Sequence, residues 1–250
     1  MKKIHKREGV GALLMLAVIF VAGVIYDNYH TALFVAPNPE VSSTAPVTIS
    51  TKKINETNFT GTIPVISGTS PLVSVAQAYI DKEVSDFKKS ADTDVPDIRK
   101  HFGNDTPSSN YEIDINATYT HGSKTESIVL GQYEYTGGAN GNSTYKVFTD
   151  DILTGKVLTL SDVIAPEKQS AFTKLLKNEL NTWIPEGSDA PVVFKNQVNA
   201  LTFNSLTNWS MDNTNLIIYF DKYAIGPGSL GPVAFPIPLT KINSLLNQNL

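Results

Sequence analysis

The sequence predicts an α+β fold, an antiparallel sheet with packed helices, preceded by one N-terminal transmembrane helix. Three observations carry this. An uncharged run, GVGALLMLAVIFVAGVIY, fills positions 9–26 directly after a basic cluster. Apolar residues at helical spacing follow Ser70-Pro71. Beyond Tyr111 the apolar period shortens to two, and strand-like runs mix with helical ones without regular βαβ alternation.

The N-terminal run comes first. At ~1.5 Å per residue it covers most of a ~30 Å hydrocarbon core. Tyr26 and Tyr29 stand where an aromatic belt would lie, and Lys2, Lys3, Lys6 and Arg7 precede the run with no matching cluster beyond it. The positive-inside bias keeps such a tail in the cytoplasm and sends the rest across. The expectation is a single-pass protein of the cell membrane: a cytoplasmic tail at 1–8, a signal-anchor at 9–33, a linker at 34–45 and an extracytoplasmic domain. A cleaved signal peptide is the alternative. It would carry a shorter apolar region and a small-residue site, which Val21-Ala22-Gly23 fits poorly. Both readings place the domain in the same compartment.

After the proline-rich linker, Val47–Lys53 alternates as a strand, and Asn58–Ile66 is a second extended stretch in which Pro64 marks an edge or an end. Ser70-Pro71 reads as a helix cap and first position. Leu72, Ala76, Ile80, Val84 and Phe87 form the apolar stripe of the helix that follows, and 92–101 adds a further short turn. Tyr111–Tyr119, Ser127–Tyr135 and Tyr145–Ile152 alternate as strands of an antiparallel meander, with Thr136–Asn142 as a glycine-rich turn. Ser161-Asp162 and Pro166 open a helical section, and Phe172, Leu175, Leu176, Leu180 and Trp183 share one helix face. Strands return at 208–211, 216–220 and 233–238, before a short terminal helix at 240–246.

Composition narrows the function. The 250 residues carry a net charge of −4. Residues 1–8 hold four positive charges and one negative, so the remainder is −7. An acidic exterior disfavours nucleic acid and mildly favours basic partners. The absence of Cys excludes thiol catalysis, cysteine zinc sites and iron–sulfur clusters. His101 and His121 are the histidines beyond the linker and have no metal-ligand spacing, so no metal and no cofactor is expected. Sequons at Asn55, Asn58, Asn104, Asn116, Asn142 and Asn208 read as chance in a chain rich in Asn and Thr.

Gly226–Gly231 formally matches G-x-G-x-x-G, but Pro232–Pro236 is extended where a phosphate-binding helix would have to start. Pro227 stands where a nucleophile elbow around Ser229 needs Gly. Asp150 and Asp151 are adjacent, so on a strand they face opposite sides. Asp162 reads as a helix-start residue, and Asp221 follows an apolar strand. A hydrolase built on carboxylates such as Asp150 or Asp221 is one alternative function, and cap and turn roles are the structural reading of the same residues. No catalytic residue is assigned.

Four blocks in order, YTGGANGN (135–142), LTGKVLTLSDVI (153–164), LIIYFDKYAIGPGSLG (216–231) and IPLTKI (237–242), resemble the extracytoplasmic C-terminal domain of RsiV-type anti-sigma factors. That domain also precedes the catalytic domain of some PdaC-type peptidoglycan deacetylases. INETNFTGTIPVISG (54–68) and the helix after it are similar to its smaller companion. The resemblance spans roughly 46–248 and implies a smaller PdaC-like segment at 46–105 and an RsiV-type domain at 106–250. It implies an α+β module, and in RsiV-type proteins such a module binds lysozyme. Three departures qualify it: eight residues before the apolar run are too few for a sigma-binding region, the expectation is a module without the deacetylase part, and Asn140 stands where the family usually has His.

The expected function is therefore a membrane-anchored extracytoplasmic binding module, for peptidoglycan or a wall-active protein such as lysozyme. A structural partner of another membrane protein is a further alternative. The expected binding residues are Tyr135, Gly137, Gly138, Asn140 and Asn142 in the first loop, and Tyr223, Gly226 and Gly228 in the second. Glycines there would allow close approach of a ligand, and exposed tyrosines would stack on sugars or anchor a protein.

Overall fold

The computed structural model describes residues 47–104 and 106–247. The expected anchor, its tail and the linker lie outside the described residues. Among those described, no helix is long and apolar enough to cross a membrane.

Strands β1 (Val47–Asn55), β2 (Phe59–Gly68), β3 (Tyr111–His121), β4 (Thr125–Tyr135) and β5 (Asn142–Asp151) form one sheet in that order. Strands β6 (Trp209–Met211), β7 (Asn215–Phe220) and β8 (Val233–Pro238) form a second. The fold is α+β, with one departure from an all-antiparallel sheet. β2 and β3 are parallel, because helix α1 (Leu72–Phe102) carries the chain back to the starting end of β2.

Helix α1 starts where Ser70 Oγ accepts the Leu72 N–H at 3.2 Å. Leu72, Ala76, Ile80, Phe87, Ala91 and Val95 are its buried stripe. The expected extra turn at 92–101 is the same helix continued through Pro96. Proline removes one backbone bond there. Ala91 and Val95 nevertheless extend the apolar face, and Arg99 grips Asn58 Oδ1 and Thr57 O at 2.9 and 3.1 Å. Gly103, at φ 91°, closes the helix by donating to Arg99 O.

The parallel β2–β3 ladder spans four residue pairs, from Phe59↔Tyr111 to Thr62↔Asp114. Gly61 permits it, since a Cβ there would lie 2.1 Å from Ile113 O. Period two then sets the donors on this side of β2. Thr62 N–H goes to the Asp114 carboxylate at 2.7 Å, and Ile66 N–H goes to Gln77 of α1 at 3.2 Å. Pro64 lies between them with no N–H to satisfy. It sits within a strand, at the position where the ladder offers no acceptor.

One face of the first sheet packs on α1 through Ile113, Ile115, Ile128 and Leu130. The opposite face of β4 and β5 meets β6: Thr125 Oγ1 donates to Met211 O and Thr149 Oγ1 to Trp209 O, both at 2.9 Å. β4 is consequently buried on both faces from Thr125 to Gln132, which breaks the alternation expected from its sequence.

The second half packs helices α2 (Leu160–Val163), α3 (Gln169–Thr182), α4 (Lys195–Ala200) and α5 (Leu239–Ile242) with the second sheet. Its core holds Phe172, Leu176, Leu180, Leu216, Ile218 and Ile237. Thr159 and Asp162 form a capping box at α2, with Thr159 N–H donating to Asp162 at 2.8 Å. The Lys156 ammonium, then Thr159, pull the Asp162 carboxyl down to about 2. Helix α4 is a piece the sequence reading did not contain.

Sequence division at 105/106 falls within the β2–α1–β3 crossover. The sheet runs through it, and the two cores part between β5 and α2.

Candidate functional site

The two glycine-rich loops meet. The first joins β4 to β5 and the second follows β7. Between them runs Lys222, whose N–H donates to Ser143 O at 2.9 Å and whose ammonium donates to Gly141 O at 2.6 Å. Asp221 accepts the Tyr145 N–H at 2.7 Å, so the start of the second loop is tied to the edge of β5. Asn208 completes the seam, accepting from Val147 N–H at 3.2 Å and donating to Tyr145 O at 2.8 Å. Beneath it the Tyr145 and Tyr219 rings pack edge to face at 4.9 Å. Burial raises the pKa of both phenols, that of Tyr219 to about 12, so both are neutral hydrogen-bonding groups at physiological pH.

The expected residues lie along the two loops, and the hydrogen bonds that join the loops fall on Gly141, Ser143 and Lys222. Tyr135 ends β4 and is half-buried; Gly138, Asn140 and Asn142 are exposed. Gly137, at φ 81°, presses on the backbone of Ser108, where a Cβ would lie 2.5 Å from Ser108 O. Tyr223 is 51 % exposed and sits at φ 70°, a left-handed conformation costly for a side chain of this size. Its ring lies on Gly228, where a Cβ would approach within 2.4 Å, and the Lys222 ammonium is 5.1 Å from its centroid. Gly226 is buried under Leu230 and shapes the loop from below. After Gly228–Leu230 the chain enters β8, so the G-x-G-x-x-G stretch opens no helix.

Sequence reasoning missed Lys222, which turns two loops into one face; Tyr133, an aromatic it noted beside the first loop, has its ring against Gly141. The lysine sits inside the family-like block, but a separation of 81 residues from Gly141 leaves no local signal for that contact.

The carboxylates are placed differently from an open hydrolytic pair. Asp221 is engaged by the Tyr145 N–H. Asp150 is completely buried, and neither of its oxygens has a donor. It stands directly across from Glu126 of β4 on the α1 side of the sheet. Glu126, also buried, accepts from Ser70 Oγ at 2.6 Å and from the Tyr119 hydroxyl. Burial first, then the Glu126 and Asp151 charges, raise the Asp150 carboxyl to about 6. Asp150 and Glu126 are thus two buried carboxyls facing each other across the ladder and sealed from substrate, an arrangement that favours the neutral form of Asp150. Asp151 faces the other way and accepts from Leu153 and Thr154 N–H in the following turn. His101 and His121 are exposed, and among the described residues no group of three or more metal-ligating side chains converges.

Comparison with known proteins agrees with this division. Residues 50–143 match the family described as Deacetylase PdaC, and residues 161–240 match the family described as Protein of unknown function (DUF3298). The chain is 21% identical over 183 residues to the Peptidoglycan-N-acetylmuramic acid deacetylase PdaC of Bacillus subtilis. That match takes in 70% of this chain and 36% of the relative, so the chain spans about a third of the length of the curated protein it matches. Among solved structures, a DUF3298 family member from Bacteroides fragilis superposes with a TM-score of 0.55 at 18% identity, covering 81% of this chain and 94% of its own. A DUF3298 family protein from Pseudomonas aeruginosa gives 0.51 at 17%, with the same coverage. The described region is thus of PdaC/DUF3298 type in fold.

Proposed function

We propose that the chain is a membrane-anchored, extracytoplasmic binding module of the cell wall that captures a wall component or a wall-active protein such as lysozyme. The observation that carries this reading is the joining of the two loops by Lys222 into one face with Tyr223 at its surface, stacked on Gly228. Rigid aromatic anchors on immobilised loops are what hot spots of protein interfaces use. The likeness to a peptidoglycan deacetylase over the region 50–143 supports the wall as the setting. The acidic balance beyond residue 8 supports a basic partner.

Calorimetry of the full chain in detergent, titrated with lysozyme, tests the reading. Saturable heat that Tyr223→Ala and Asn140→Ala weaken is the expected result. Absence of heat, with no complex by gel filtration, removes lysozyme as the partner. Soluble peptidoglycan fragments then decide whether the face binds the wall itself.

A further inference from the structure

A second surface, distant in sequence from both loops, has the chemistry of a ligand site. Helix α3 and the segment 199–204 border an open cleft of about 700 Å³, within the range typical of small-molecule sites. Lys174 and Lys177 line it from α3, and none of its lining residues is a carboxylate, in a chain whose net charge is −4. Lys174 has no ion pair among the described residues. Lys177 is held by donating to Asn199 O at 2.8 Å, which fixes its ammonium at the wall of the cleft. Asn178 and Asn204 add amides, and Phe203 contributes a half-buried ring steadied by an edge-to-face contact with Phe172 at 6.2 Å.

We infer that this cleft binds a hexopyranose carrying a carboxylate. The amides suit vicinal ring hydroxyls, since each offers a donor pair and an acceptor side by side. Phe203 offers an apolar surface to the C–H face of a sugar ring. The two ammoniums, without acidic neighbours in the cleft, supply the positive field for the carboxylate. A neutral sugar would use the amides and the ring but leave both charges unanswered. The inference stands apart from the loop face: neither Lys222 nor Tyr223 lines the cleft.

The test is an NMR titration of the full chain in detergent with N-acetylmuramic acid and with glucuronic acid, against N-acetylglucosamine as the neutral control. The expected result is saturable shifts confined to Lys174, Lys177, Asn178, Asn199 and Phe203 with at least one acid. Lys174→Ala/Lys177→Ala should weaken that binding about tenfold or more, with an unchanged circular dichroism spectrum. Tyr223→Ala should leave it intact, which separates this site from the loop face. A response to one acid alone supports carboxylate recognition and identifies the ring that carries it. Absence of shifts at about 20 mM, equal shifts with the neutral sugar, or shifts indifferent to loss of both lysines each overturn the inference.

Discussion

Replacing Asp150 by Asn should make the protein more stable, and by an amount that depends on pH. The wild-type carboxyl is completely buried, lacks a donor and faces Glu126 across the β4–β5 ladder. Its folded value is raised from 3.8 to about 6, chiefly by burial and then by the Glu126 charge. The folded state therefore holds this proton more tightly than the unfolded chain does. Stability from Asp150 is fully present below pH 3.8 and is lost as pH rises through about 6. A shift of about two units corresponds to about 3 kcal/mol at pH 7 and above. The Asn variant keeps the shape, offers an N–H to Glu126 and cannot ionise. Urea unfolding followed by the fluorescence of Trp209, which is buried, measures both proteins at pH 4, 6 and 8. The expected gain of Asp150→Asn is near zero at pH 4 and approaches about 3 kcal/mol at pH 8. A gain that is the same at all three pH values, or a variant less stable at pH 8, would refute the reading of Asp150 as a carboxyl that burial holds toward its neutral form.

Other substitutions probe the remaining joints. Gly61→Ala puts a methyl group 2.1 Å from Ile113 O and should cost about 3 kcal/mol or more by forcing β2 and β3 apart, read as a lower urea midpoint. Asp221→Ala leaves the Tyr145 N–H without its 2.7 Å acceptor and should destabilise by about 1–3 kcal/mol, with faster hydrogen exchange at Tyr145. Gly228→Ala should displace the Tyr223 ring and weaken capture by about tenfold while leaving the melting curve almost unchanged, because the ring it meets is on the surface.

Much of the fold could be read from local pattern. The stripe from Leu72 to Phe87 placed α1, and the alternation from Tyr111 placed β3, because one face of each is solvated. Where both faces are covered the pattern fails: β4 carries Thr125, Ser127 and Gln132 as buried residues, and these look polar and solvent-facing in sequence. The parallel β2–β3 pairing was invisible for another reason, since it depends on Gly61 meeting Ile113 across a long helix. The same limit governs the carboxyl pair. Opposite orientation of Asp150 and Asp151 follows from strand geometry alone, but the partnership of Asp150 with Glu126 requires the hairpin register. Of the candidate loop face, the glycines and Tyr223 were legible as loop chemistry. Their union was not, because Lys222 and Gly141 are 81 residues apart.

The seam along β5 also bears on how such a chain can be inherited. Its outer edge is closed by the side chains of Asp221 and Asn208 and by the main chain of Leu158, all lying downstream of the sheet they complete. A piece ending at residue 151 would expose the Tyr145 and Val147 donors on a sheet edge open to other copies. The sheet edge and the groups that close it therefore come from different halves of the chain. Moving the sheet alone would leave that edge without the groups that close it.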